Sequence, residues 1–216
     1  MSKKIVIMGA GGFGAEAIWV IEDMNKSIVP SDQWEILGYV DDIAKKGSEH
    51  YDYKILGTPE EFAAELKGEQ IWYFCAIGNN QARKRISSRL DQLGWQAATL
   101  IHPSVVIARK VKIGLGTYIG AGSIICPNTS IGSHVLINTR VAVGHDSIME
   151  DFSQACPGAQ INGMCKINEG VLIGSNASIF PKRSIGAWST VGGNSQVISS
   201  VKPGITVNGV PAIKIY

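Results

Sequence analysis

Charge is scarce in this chain. Asp, Glu, Lys and Arg make up 18% of its 216 residues, below the ~25% usual for a soluble domain. The 20 basic and 18 acidic side chains leave a formal charge of +2. With no basic run, a dedicated nucleic-acid binder is disfavoured and small ligands are the expected partners. Cysteine is also sparse: Cys75, Cys126, Cys156 and Cys165 show no C-x-x-C spacing. Neither a zinc knuckle nor a disulfide framework is indicated, and a reducing cytoplasm suits such a set. Long hydrophobic runs are missing as well. The apolar stretch Ile5 to Ala10 is too short for a signal core or a membrane span and runs straight into glycines, so neither is expected. What abounds is hydrophobic residues, 45%, and glycine, with 25 residues. That combination excludes disorder, disfavours long helical bundles, and suits a sizeable core built with many tight corners.

The two halves differ in charge and in period. Residues 1–100 hold 11 basic and 14 acidic side chains, a balance of −3, whereas residues 101–216 hold 9 and 4, a balance of +5. Near Ile101 a mixture of strand and helix patterns gives way to one short repeat, so two domains are expected, 1–100 and 101–216. In the first, the apolar run Lys4 to Met8 leads into Gly9-Ala10-Gly11-Gly12-Phe13-Gly14 and a helical stretch through Ile18, Trp19 and Ile21. Ile36 to Val40 and Ile71 to Ile77 read as further strands, and Arg83 to Leu93 as a basic amphipathic helix. Thr58-Pro59-Glu60-Glu61 carries helix-start signals. The alternation implies a small parallel sheet covered by helices.

From Ile101 to Val197, every sixth residue is Ile or Val in fifteen of seventeen cases, Met149 and Ala155 being the exceptions. Four positions later in each hexad the residue is small or β-branched, except at Arg183. Glycine often follows the aliphatic position, as at Gly114, Gly132, Gly144 and Gly174. Short strands joined by tight corners, three to a triangular coil, satisfy this pattern, and stacked coils at ~4.8 Å bond to one another through their backbones. Seventeen hexads supply between five and six coils. An antiparallel sandwich would need turn clusters every ~8 to 12 residues, which the unbroken phase lacks.

The pattern [Ile/Val]-Gly-x-x-[Ser/Thr/Val]-x resembles the left-handed parallel β-helix of the hexapeptide acyltransferases. A narrower resemblance rests on several segments together. They are the Gly9 to Gly14 turn, Val40-Asp41-Asp42, Ala76-Ile77-Gly78-Asn79-Asn80 with Arg83-Lys84, Asn138-Thr139, Gly144-His145-Asp146, Ser153 and Pro157-Gly158-Ala159. In this order they are similar to the bacterial nucleotide-sugar acetyltransferases of the bacillosamine, perosamine and sialic acid type. The resemblance implies a small Rossmann-like domain followed by a left-handed β-helix. It further implies an acetyl-CoA donor, an acceptor sugar carried on a nucleotide, and a homotrimer whose subunit cleft shields the thioester.

Several side chains are candidates for the chemistry. His145 is either a surface histidine at a corner or, as the resemblance implies, the base that removes a proton from an incoming amine or hydroxyl. Asp146 would support the imidazole, which requires the corner to turn two adjacent side chains together. One coil is eighteen residues, so Gly163 stacks beside His145. Its N–H can steady a developing oxyanion, or the glycine serves a corner with positive φ. The glycine turn, with Gly11, Gly12 and Gly14, suggests backbone donors facing phosphate; ~100 residues hold one mononucleotide half, not a dehydrogenase. Asp41 and Asp42 either accept from a base or ribose or cap a strand end. Asn79 belongs to the implied nucleotide-sugar site, Asn138 is an acceptor-side candidate or an ordinary corner asparagine, and Lys182 and Arg183 fall where relatives hold coenzyme A, Arg183 reading also as a solvated basic corner. Phe13 departs from the histidine many relatives carry in the glycine turn, which bears on acceptor identity. No metal is expected, since only His134 and His145 lie at mid-repeat corners. The expected activity is N-acetylation of a nucleotide-linked 4-amino-6-deoxy sugar by direct transfer. The alternatives are sugar O-acetylation and a non-enzymatic nucleotide-sugar-binding trimer.

Overall fold

A computed structural model describes residues 3–66 and 68–215. The chain divides into two compact units, with the break between Pro103 and Ser104.

In the first unit, β1 (Lys3–Met8) lies between β2 (Trp34–Val40) and the strand Trp72–Cys75, with Gln96–Ala97 beyond the latter, and all pairings are parallel. Ile5, Val6 and Ile7 are wholly buried. A strand covered on both faces reads as a continuous apolar run rather than an alternation, which is why Lys4 to Met8 stands out in the sequence. Helix α1 (Gly12–Lys26) turns Ala17, Ile18, Val20 and Ile21 inward. At Gly14 a Cβ would meet the Gly9 carbonyl oxygen at 2.2 Å, so glycine is what allows the helix to start tight against the turn. Helix α2 (Pro59–Glu65) opens with proline in its first turn and a capping box in which Thr58 and Glu61 bond reciprocally. Helix α3 (Asn80–Gln92) is capped by Asn79. Its basic face is divided, because Arg83 is wholly buried and donates to the carbonyls of Ile77 and Gly78 and to Asn80 Oδ1.

The second unit is a three-sided parallel solenoid. Two-residue strands pair with those eighteen residues on, as in Tyr118↔Leu136, Ile124↔Ala142 and Ser130↔Ile148. One face carries six strands and another five. The aliphatic phase points inward: Ile119, Ile137, Ala155, Ile173 and Val191 form one wholly buried column. Each Ile so buried contributes about 1.5–3 kcal/mol. The small phase lies at the corners, where buried hydroxyls cap neighbouring carbonyls: Thr117 donates to Gly132 at 2.9 Å, Ser123 to Asn138 at 2.8 Å and Ser147 to Asn162 at 3.0 Å. Such bonds make Ser and Thr as acceptable as Val at these buried positions.

Two kinds of corner residue need separating. The glycines after the aliphatic position serve close approach: a Cβ on Gly144 would meet Gly163 N at 2.5 Å. The left-handed backbone falls two residues later; glycine fills it at Gly116, Gly122, Gly158 and Gly170, and side-chain-bearing residues fill it at most other corners. Lys110, Asn128, Asp146, Met164 and Lys182 form one such column, with φ of 61°, 60°, 57°, 60° and 62°.

Candidate functional site

His145 and Asp146 occupy one corner of the solenoid. On a regular strand, adjacent side chains diverge. Asp146 instead has φ 57°, and this turn brings its carboxylate back to the imidazole, with Nδ1 of His145 2.7 Å from Oδ2. The hydrogen bond from His145, and next that from Asn128, hold the Asp146 carboxyl below the usual aspartate range. An ionised carboxylate only accepts, so Nδ1 carries a proton, and in the neutral imidazole Nε2 presents its lone pair.

The next coil supplies the other wall. A Cβ on Gly163 would stand 2.6 Å from His145 Nε2, so the imidazole occupies the space a side chain would take. Gly163 is not among the glycines with positive φ; close approach, not corner geometry, requires it. Its carbonyl accepts from Lys182 N at 3.0 Å, whereas its N–H meets no acceptor among the described residues. His145 and Gly163 line a groove of about 390 Å³ with Cys126, Asn162, Met164 and Pro181. Lys182 is exposed and stands one coil beyond Met164 in the corner column, outside the groove's lining. Arg183 beside it is half-buried, with its Nε enclosed and unbonded. Asn138 is half-buried at the preceding corner of His145's coil, outside the groove.

The first unit groups the remaining candidates unequally. Gly11 is the N-cap of α1, and the positions of Gly11 and Gly12 are open, with no atom within 4 Å of a built Cβ. A 15-residue helix thus begins without a side-chain cap, leaving backbone donors at its positive end. Phe13 packs edge-on against Phe74, centroids 5.8 Å apart. Asp41 is committed to the main chain: Oδ2 accepts from Ala10 N at 2.9 Å and Oδ1 from Ile43 and Ala44 N at 2.8 and 2.9 Å. Burial works to raise its pKa, but these three donors outweigh it and hold the carboxyl low. The aspartate therefore ties the glycine turn to the end of β2. Asp42 points elsewhere, pairing with Arg89 at 2.8 and 3.0 Å. Asn79 Oδ1 is taken up by its cap of α3, accepting from Ala82 N at 2.9 Å.

Residues 4–90 match the family model described as the PglD N-terminal domain. Over 213 residues the chain is 33% identical to GDP-perosamine N-acetyltransferase of Escherichia coli O157:H7, covering 95% of this chain and 93% of the relative. The chain belongs to the bacterial nucleotide-sugar acetyltransferases. UDP-N-acetylbacillosamine N-acetyltransferase of Bacillus subtilis is 34% identical over 124 residues, 55% of this chain and 52% of its own length. The acetyltransferase domain of PglB from Neisseria gonorrhoeae FA1090, solved in complex with acetyl coenzyme A, superposes with a TM-score of 0.89 at 26% identity and full coverage of both chains.

The solenoid of this nucleotide-sugar acetyltransferase is thus the left-handed parallel β-helix of its structural relatives, and the enzyme is an acyltransferase. Its other three histidines are engaged elsewhere: His50 edge-on to Tyr39 and Tyr51 with centroids 5.4 and 4.6 Å apart, His102 with Asp23 at 3.1 Å, and His134 stacked on Phe152 with centroids 5.0 Å apart. No group of three or more His, Cys, Asp or Glu among the described residues is arranged to hold a metal. No described helix is long and apolar enough to cross a membrane. Sequence reasoning missed two neighbours of the dyad. Cys126 lies one coil before Gly144 and lines the groove. Asn128, one coil before Asp146, donates to Asp146 Oδ1 at 3.1 Å. Stepping back eighteen residues from the dyad's own hexad would have found both.

Proposed function

We propose that the enzyme transfers the acetyl group of acetyl-CoA to the amine of a nucleotide-linked 4-amino-6-deoxy sugar, with His145 as general base. One observation carries this reading. The Nε2 lone pair, fixed by the Asp146 bond at Nδ1, faces a glycine with an uncommitted N–H in an open groove. Nε2 takes a proton from the attacking amine as nitrogen bonds to the thioester carbon. The Gly163 N–H donates to the oxyanion, a contribution of up to ~3–4 kcal/mol in such sites. The C–S bond then breaks, and the imidazolium returns the proton to the departing thiolate. Direct transfer is the route we assign; in its support, the bond recorded for the His145 ring goes to Asp146, not to the Cys126 thiol that shares the groove.

The two relatives, a GDP-perosamine and a UDP-N-acetylbacillosamine N-acetyltransferase, join a nucleotide-linked sugar to N-acetyl transfer and so support the acceptor class. The glycine turn at the start of α1 is assigned to the acceptor's phosphates, with Phe13 beside it and Asp41 fixing its shape. On the resemblance alone we assign to the same acceptor Asp42 and Asn79, whose oxygens here are engaged by Arg89 and by the cap of α3, and Asn138, which lies outside the groove; Lys182 and Arg183 are assigned to coenzyme A, in keeping with the +5 balance of residues 101–216. No metal takes part in this scheme. The four free cysteines agree with a cytoplasmic enzyme. A homotrimer is the proposed assembly, and a functional monomer by solution mass measurement would count against it.

Thiol release from acetyl-CoA, with UDP- and GDP-linked 4-amino-6-deoxy sugars offered in parallel, tests the activity. Turnover with one of them is expected. Turnover only with hydroxyl acceptors would move the reading to O-acetylation. Thermal stabilisation by nucleotide without any response to coenzyme A would move it to a binding protein.

A further inference from the structure

The two oxygens of Asp146 have different duties. Oδ2 meets His145 Nδ1 at 2.7 Å, and Oδ1 accepts from Asn128 Nδ2 at 3.1 Å. Asn128 stands eighteen residues earlier, at the same left-handed corner one coil below, with φ 60° against 57°. We propose that Asn128 is a positioning residue: its amide holds the Asp146 carboxylate with Oδ2 turned to the imidazole, and so keeps Nε2 against Gly163. The proposal rests on the reading of His145 as the base.

Three observations carry it. First, within one chain the side chains of His145 and Asp146 are 55% and 48% exposed, so packing inside the chain does not fix them. A surface carboxylate with one partner is free to rotate; a second bond from the far side sets its plane. Second, the polarity is right, because Nδ2 donates to an oxygen that can only accept. An aspartate at 128 would set two like charges against each other. Third, the left-handed corner accounts for the backbone of Asn128 but not for its amide, since glycine serves that conformation at least as well. Other members of the column are Lys110, Met164 and Lys182, so the corner itself does not call for asparagine.

The test measures thiol release by wild type, N128G, N128D, D146A, the N128G/D146A pair and H145A. Glycine removes the amide while sparing the backbone conformation, and N128D keeps the shape while reversing the polarity. Should N128G not fold, as judged by circular dichroism, N128D takes its place in the cycle. N128G is expected to lower kcat about tenfold, the scale of a loosened catalytic geometry, with the KM for acetyl-CoA within about twofold of wild type. N128D is expected to lose at least as much. In the D146A background N128G is expected to cost less than about twofold, because the group it positions is gone. An unchanged kcat in N128G, a fully additive loss in the double variant, or a D146A variant at wild-type rate would each overturn the proposal. A fully active H145A brings down the base reading itself. An inactive H145A beside a fully active N128G removes only the role of Asn128.

Discussion

The imidazole of His145 lies against the bare Cα of Gly163: a methyl group there would stand 2.6 Å from Nε2 and 2.8 Å from Cε1. One glycine therefore does two things. It makes room for the ring, and it leaves a backbone N–H uncommitted beside it. Stacking in an eighteen-residue coil brings these groups together, and Asp146 completes the arrangement because its backbone turns left-handed at the corner.

Gly163→Ala is expected to displace the imidazole without harming the coil, since the residue's φ lies outside the left-handed region. A kcat lower by about 10- to 100-fold, with an unchanged circular dichroism spectrum, is the expected result. Steady-state kinetics check it; an unaltered kcat would mean that the ring tolerates displacement or that it plays no part.

Cys126 lines the groove, whereas Cys75 is buried and burial pushes its thiol up to about 11. Burial also raises Cys156 and Cys165. A thiol alkylates as its thiolate, so at pH 8 iodoacetamide is expected to label Cys126 ahead of the other three, and acetyl-CoA to slow that labelling. Raising the pH to about 9.5 should leave Cys75 unlabelled in the folded enzyme, still below its raised pKa. Peptide mass spectrometry reads both. Cys126→Ala is expected to keep most of its activity; a complete loss in this variant, together with an acyl group trapped on Cys126 of the wild type, would contradict direct transfer.

Arg83 is wholly buried and supplies the loop before α3 with donors to two carbonyls and to Asn80. Arg83→Met keeps the aliphatic bulk and orphans those acceptors, each at about 1–3 kcal/mol. A lower urea midpoint at unchanged slope is expected. A midpoint equal to wild type would show that the loop finds other donors.

The solenoid was the most legible part of the chain. A column such as Ile119, Ile137, Ile173 and Val191 is periodic because each member fills the same interior place, so the sequence repeats the geometry. β1 was legible for a related reason, as burial on both faces leaves no polar position. The pairing of His145 with Gly163 followed from counting one coil. Other features lay beyond linear reading. Whether a corner aspartate joins its neighbouring histidine depends on a single φ, and Asp146 at 57° differs in nothing visible from an ordinary corner residue. Asp41 and Asp42 look alike in sequence, yet one binds the glycine turn and the other Arg89, 47 residues on. That partition is set by where α3 packs. The glycines after each aliphatic residue suggested corner geometry, whereas at Gly144 the need is clearance from the next coil.

The central claim is that Nε2 of His145 accepts the proton of the attacking amine. Its most direct test is the kcat for thiol release by His145→Ala, measured with saturating acetyl-CoA and the amino sugar that wild type prefers, beside coenzyme A binding by calorimetry. A loss of about 100-fold or more with coenzyme A affinity retained is the predicted result. A variant that turns over at the wild-type rate would contradict the account.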